Sequence, residues 1–167
     1  IHGGTSQASS IQLWNMSCNV SQAYCIAGGN ATYETQENGI IWYSEDFGQT
    51  WSEADIQPEN GVYRNYATSC YQSSNDNTNK CIVVGAVSGN NTVYIGHGSG
   101  TAEPMRFYAA NSMEIPSGYL IVPQGATCSS NDNCVLVGFF EDASNTTLQS
   151  SAIYYSTDGG DNWIQSH

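Results

Sequence analysis

Two segments of the chain repeat one pattern. Ser44-Glu45-Asp46-Phe47-Gly48-Gln49-Thr50-Trp51 and Ser156-Thr157-Asp158-Gly159-Gly160-Asp161-Asn162-Trp163 both fit S-x-D-x-G-x-x-W. Each follows an apolar, aromatic-rich run, Ile40-Ile41-Trp42-Tyr43 and Ala152-Ile153-Tyr154-Tyr155. Such a run predicts a strand, and the Asp/Gly cluster after it predicts a hairpin turn. The closing Trp then starts the return strand. A turn carboxylate that accepts backbone N–H groups, beside a glycine free to take positive φ, locks a turn of this kind.

The repeat is longer than the turn. A cysteine pair and a glycine precede each unit's later strands: Cys18 with Cys25-Ile26-Ala27-Gly28, Cys70 with Cys81-Ile82-Val83-Val84-Gly85, and Cys128 with Cys134-Val135-Leu136-Val137-Gly138. Even an inserted turn recurs, as Ser73-Ser74-Asn75-Asp76-Asn77 and Ser129-Ser130-Asn131-Asp132-Asn133. The period, a little over fifty residues, belongs with propeller-like arrays and not with short solenoids. The middle unit has lost its turn motif: Gly96 and Gly98 stand where Ser and Asp would, and no Trp follows.

Each unit divides into four predicted strands. They are Gln12–Ser17, Tyr24–Gly28, Gly39–Ser44 and Thr50–Ile56 in the first unit. Val62–Ser69, Lys80–Val87, Thr92–Gly96 and Met105–Ala110 fill the same roles in the second. Tyr119–Thr127, Asn133–Phe140, Ala152–Ser156 and Asn162–Gln165 do so in the third. No window carries a 3.6-residue apolar period, so the expectation is an all-β chain.

The S-x-D-x-G-x-x-W pattern resembles the Asp-box, the bacterial neuraminidase (BNR) repeat that marks blades of β-propellers. The resemblance runs from about Leu13 onward and is weak in the second unit. It implies a β-propeller-like fold of three four-stranded antiparallel blades, at about 13–58, 62–112 and 118–167, preceded by a flexible arm over 1–12. In that family the box lies at the blade periphery, away from the central site. Ser44, Asp46, Gly48, Trp51, Ser156, Asp158, Gly160 and Trp163 are therefore expected to be structural, the two tryptophans by packing between strands.

The six cysteines form three equivalent short-range pairs, which argues for disulfides Cys18–Cys25, Cys70–Cys81 and Cys128–Cys134, each clipping the first hairpin of a blade. Connectivity does not follow from spacing alone; here the repeat restrains it, since each pair holds the same place in its unit. Zinc is the alternative, but the spacings lack paired C-x2–4-C knuckles and His2, His97 and His167 lie far from the pairs. Disulfides place the protein in an oxidising compartment: secreted, periplasmic or cell-surface. The chain opens on Ile1 without a signal-type segment, and the expectation is a processed or trimmed chain. Sequons at Asn15, Asn19, Asn30, Asn90 and Asn145 are glycosylation candidates in a host that glycosylates.

Composition narrows the partners. Three Lys and Arg residues stand against fifteen acids, a balance that repels phosphate backbones and anionic headgroups. No apolar run approaches a membrane span. Nucleic-acid binding and membrane insertion are not expected. No cofactor is implied and no metal site is expected: Asp158 with Asp161, or Asn75, Asn77 and Asn79, lack the carboxylate density of a hard-cation loop.

Three function classes follow. The resemblance brings sialidases and other glycosidases into view, but a sialidase grips its substrate carboxylate with three arginines and this chain has only Arg64 and Arg106. Glu45–Asp46 and Glu141–Asp142 are sequence neighbours, which a strand points to opposite faces, so neither pair flanks one glycosidic bond. No catalytic residue is assigned. A glycan-binding module is the second class, with Trp14, Trp42, Tyr43, Tyr63, Tyr66, Tyr71 and Tyr119 as available aromatics. The third is assembly. Three blades fall short of the four to eight that close a propeller, so an open wedge would need cover on two sheet faces. The expectation is a non-catalytic extracellular protein that self-associates as a homo-oligomeric ring or a filament. A lectin-like module is the alternative, and a glycoside hydrolase or a piece of a larger propeller is the second alternative.

Overall fold

The computed structural model describes residues 8–19, 21, 23–33, 36–57, 63–87, 90–98, 106–142 and 144–166. These residues form fourteen strands in three sheets and no helix. Sheet 1 is an antiparallel meander of β1 (Ser10–Asn19), β2 (Tyr24–Tyr33), β3 (Gln36–Ser44) and β4 (Ser52–Glu53). Sheet 2 repeats the meander with β6 (Tyr63–Gln72), β7 (Asn79–Val87), β8 (Asn90–Gly98) and β9 (Arg106–Ala109), and sheet 3 with β11 (Tyr119–Cys128), β12 (Cys134–Asp142), β13 (Asn145–Ser156) and β14 (Asn162–Gln165).

Sheets 2 and 3 are five-stranded, not four. The segment predicted as one strand over Thr50–Ile56 splits: β4 stays in sheet 1, and β5 (Asp55–Gln57) crosses to pair in parallel with β9. Ala54 is the pivot, buried and donating its N–H to the Ile41 carbonyl at 2.8 Å, the last bond of the sheet 1 ladder. The next linker behaves alike, as β10 (Ser112–Met113) pairs in parallel with β14. The arm expected over 1–12 overlaps the first sheet. Ser9 donates to the Thr32 carbonyl at 2.7 Å and β1 begins at Ser10, so the last residues of 1–12 belong to the sheet, and residues 1–7 lie outside the described set.

Each first strand carries a bulge at one place: at Trp14 between Leu13 and Asn15, at Tyr66 between Asn65 and Ala67, and at Gln124 between Pro123 and Gly125. Opposite each bulge stands the repeat's glycine. In sheet 1 that glycine is Gly29, paired with Leu13, and not the predicted Gly28; its counterparts are Gly85 opposite Asn65 and Gly138 opposite Pro123. The reason is steric. A Cβ on Gly29 would meet the Gln12 carbonyl oxygen, and one on Gly138 the Val122 carbonyl oxygen, because the bulge drops the first strand's backbone onto the second.

The three disulfides span the non-hydrogen-bonded pair at the hairpin end of each first strand. Cys18–Cys25, Cys70–Cys81 and Cys128–Cys134 have Cα–Cα distances of 4.0, 4.2 and 4.1 Å. Covalent pairs of this kind indicate an oxidising, extracellular compartment. No described helix is long and apolar enough to cross a membrane.

The sheets stack face to face, with β6 packed on β1, β2 and β3, and β11 on β6, β7 and β8. Two cores result. Tyr24, Ile26 and Ile41 of sheet 1 meet Cys81, Val83 and Phe107 of sheet 2. Ile82 and Val84, on the other face of sheet 2, meet Ile121, Leu136, Tyr154 and Trp163 of sheet 3. Strand alternation thus divides β7 between two interiors, which explains its unbroken apolar run.

Candidate functional site

The two S-x-D-x-G-x-x-W segments fold into one hydrogen-bonded turn. Ser44 is buried; its hydroxyl donates to the Asp46 carboxylate at 2.7 Å and accepts the Gly48 N–H at 2.8 Å. Asp46 in turn accepts the Thr50 N–H at 2.8 Å and the Thr50 hydroxyl at 2.6 Å. Ser156, Asp158, Gly160 and Asn162 repeat this network at 2.7, 2.9, 3.0 and 2.7 Å. Residues at φ near +60 to +100° make the turn: Phe47 and Gly48 in one, Gly159 and Gly160 in the other. Donors from Thr50 and Ser44 hold the Asp46 carboxyl down at about 2. Burial pushes Asp158 up, but the Asn162 and Ser156 donors outweigh it and leave it below the usual carboxylate range. These carboxylates take their hydrogen bonds from their own turns.

A second polar cluster ties sheets 2 and 3. Asp132, buried in the hairpin between β11 and β12, accepts from the Tyr71 hydroxyl at 2.8 Å, the Ser73 hydroxyl at 2.8 Å, the Asn75 amide and Lys80 Nζ at 3.2 Å. Lys80 also pairs with Asp76 at 3.2 Å. Burial pushes Asp132 up and Lys80 down, but their mutual bonds and those of the neighbours win, lowering the first and raising the second. Asn75 is thus committed to Asp132, while Asn77 accepts from Gln72 and Asn79 accepts from Asn19. Among the described residues no three His, Cys, Asp or Glu side chains converge as metal ligands would.

The sequons fare differently. Asn30 is buried and accepts the Trp14 indole N–H at 2.9 Å. Asn15 accepts from Thr68 across the sheet 1–sheet 2 interface and Asn19 accepts from Ser21, both half-buried. The side chains of Asn90 and Asn145 lie outside the described set.

The open surfaces are the two end faces of the stack. On sheet 1 the face turned away from sheet 2 presents Leu13, Trp14, Met16, Ala27, Trp42 and Trp51 around a groove of about 510 Å³. The indole N–H of Trp42 is buried there without a hydrogen-bond partner. On sheet 3 the outward face carries Val135 paired with Tyr155, Val137 paired with Ile153, and Ile164 paired with Tyr155, all exposed. Of the aromatics named as available, Trp14 and Trp42 line this groove. Tyr43 stacks on Tyr24 toward sheet 2, Tyr71 is buried, Tyr119 is exposed elsewhere, and the side chains of Tyr63 and Tyr66 lie outside the described set.

The end faces hold the positions that are interior elsewhere in the repeat. Ile121 of sheet 3 packs on sheet 2 at 1% exposure; its equivalent in sheet 1, Ile11, is 52% exposed. Tyr154 and Trp163 are likewise buried, and Trp42 and Trp51 occupy the same places on the open face. At the other end, Val84 of sheet 2 is 1% exposed, and Val137, its equivalent in sheet 3, is 43% exposed. Sequence reasoning missed Leu13, Met16, Trp51 and the sheet 3 patch. The signal was there in the alternation of the repeat, read one unit against the next.

No family model matches the sequence, and no curated protein matches it. Solved structures do resemble the fold. One is described as YCF48 bound to D1 peptide, at 17% identity and a TM-score of 0.56, over 93% of this chain and 40% of that one. Another is an N-acetylgalactosamine deacetylase from F. plautii in complex with blood group B trisaccharide, at 12% identity and a TM-score of 0.50, over 90% of this chain and 50% of that one. The likeness shows a propeller-like fold, of which this chain spans about half the length or less.

Proposed function

We propose that the three sheets are three propeller blades, with Asp-box turns in the first and third, of an extracellular, non-catalytic protein that works by self-association and surface contact. The single observation that carries this reading is the pair of end faces, apolar and open at positions that are buried wherever a neighbouring blade is present. Apolar side chains paired across neighbouring strands in this way mark an interaction surface on a soluble protein. The turn carboxylates, bonded to groups of their own turns, favour a structural role over glycoside hydrolysis.

The test is the native, non-reduced particle mass by light scattering over a range of concentrations, with negative-stain images of the same sample. A discrete multiple of the chain mass, or a polymer, supports the reading; a single-chain mass at every concentration overturns it. A panel of chromogenic glycosides should show no turnover.

A second reading has its own observation. Three indoles around the sheet 1 groove suit the apolar face of a sugar ring. A glycan array probed with the unassociated chain tests it, and a blank array rejects it.

A further inference from the structure

We infer that the occupant of the open faces is a second copy of this chain docked tail to head, the outward face of sheet 3 in one copy covering the outward face of sheet 1 in the other. Two such junctions close a ring of six sheets. The inference rests on the self-association reading and names its partner and register.

The internal interfaces supply the register. Ser17, one residue before the first cysteine of sheet 1, accepts the Cys70 N–H at 2.9 Å, and Ser69, in the same place in sheet 2, accepts the Cys128 N–H at 3.0 Å. Every interface in the stack therefore uses a hydroxyl before one cysteine and the amide of the next unit's cysteine. Thr127 holds that place in sheet 3 and is exposed, while Cys18 is the corresponding amide of sheet 1. Tail to head, Thr127 meets Cys18 as Ser17 meets Cys70. In the same register Val135, Ile153 and Tyr155 take the places that Ile26, Ile41 and Tyr43 hold inside, and Trp42 and Trp51 become as buried as Tyr154 and Trp163.

Six sheets fall within the four to eight that close a propeller. A heterologous contact with this closure gives a ring of two copies and not a fibre.

The experiment uses two charge variants at exposed positions, Met16→Glu on the head face and Val137→Lys on the tail face, each checked for an unchanged circular dichroism spectrum and thermal transition. Light scattering is run at a concentration where the unmodified chain forms two-chain particles. Each variant alone is expected at single-chain mass. Their equimolar mixture is expected to regain the two-chain mass, because one junction is then unmodified and the other pairs Glu with Lys. Retention of the two-chain mass by Val137→Lys alone indicates head-to-head pairing and overturns the inference, as does a mixture that stays at single-chain mass. Fibres in images of the unmodified chain overturn the closed ring. A single-chain mass for the unmodified chain is a failure of the association reading itself, and it is visible before either variant is made.

Discussion

The hydroxyl of Ser17 and the backbone N–H of Cys70 meet at 2.9 Å across the interface of sheets 1 and 2, fifty-three residues apart in sequence. A backbone amide facing a neighbouring sheet needs an acceptor, and the residue before each first cysteine supplies it. Leaving such a donor unpaired costs about 1–3 kcal/mol. Ser17→Ala and Ser69→Ala should each lower unfolding stability by about 1–2 kcal/mol in urea. Ser17→Thr keeps the acceptor and should stay within about 0.5 kcal/mol of the parent. Equal losses for Ala and Thr would mean that the hydroxyl is not what matters.

The tryptophans at equivalent positions allow a comparison within one chain. Trp163 is buried between sheets 2 and 3, and Trp163→Ala should cost about 3–5 kcal/mol. Trp51 sits on the open face, so in the unassociated chain Trp51→Ala should cost about 1 kcal/mol. At concentrations where particles form, it should also shift the mass toward the single chain. The check is denaturation at two protein concentrations; equal losses at both positions would show that the sheet 1 face is already covered.

Much of this fold was legible. Most of the twelve predicted main strands fall within one to three residues of the observed ones at each end, because the cysteines, the turn motif and the glycine punctuate the repeat at fixed places. What was illegible depends on which strands and side chains meet. The spacing of four residues from the second cysteine to Gly85 and Gly138 selects Gly29 over Gly28, but the reason for a glycine there, the first strand's backbone lying on it, shows only in the bulge at Trp14. Asn30 reads as an exposed sequon until Trp14 folds over it. The linkers at Asp55–Gln57 and Ser112–Met113 are too short to register as strands before a partner edge is known.

The bulge glycines can be tested directly. Gly29→Ala and Gly138→Ala each place a methyl group on a backbone carbonyl, which cannot rotate away as a side chain can. Losses of about 2–3 kcal/mol or more are expected. Gly118→Ala is the contrast, with φ at +84° and nothing within 4 Å of an added Cβ. It should cost only the left-handed backbone strain, about 1–2 kcal/mol. Urea midpoints for the three variants decide the order, and a Gly118 loss as large as the others would contradict the steric reading.

Acid should act through Asp132 and Asp46. Both carboxyls lie below their ordinary value in the folded chain, so their stabilisation is complete above the unfolded pKa, near 4, and is lost as pH falls through the folded value. For Asp46 that window runs from about 4 down to about 2. Lys80 has the opposite sign: its folded pKa is raised, so its contribution is complete below its ordinary value and lost only as pH rises beyond it. Asp132→Asn should cost about 3 kcal/mol at pH 7 by leaving buried Lys80 with Asp76 alone. It should also flatten the fall in stability below pH 4. Urea melts from pH 7 to pH 2 measure both effects; an unchanged acid slope would remove Asp132 from the account.

The crossover of β5 and β10 sets the phase of the building block. Cutting the gene at the cysteine repeat, as a sequence alignment of the units would suggest, strands each outer strand on the wrong side of the cut. An excised third unit that starts at Tyr119 would lack β10, while one that starts at Ser112 would carry its own complement of five. During synthesis the same offset means that the outermost strands of sheets 2 and 3 emerge first and wait for the rest, so neighbouring units mature as a linked series and not as independent modules.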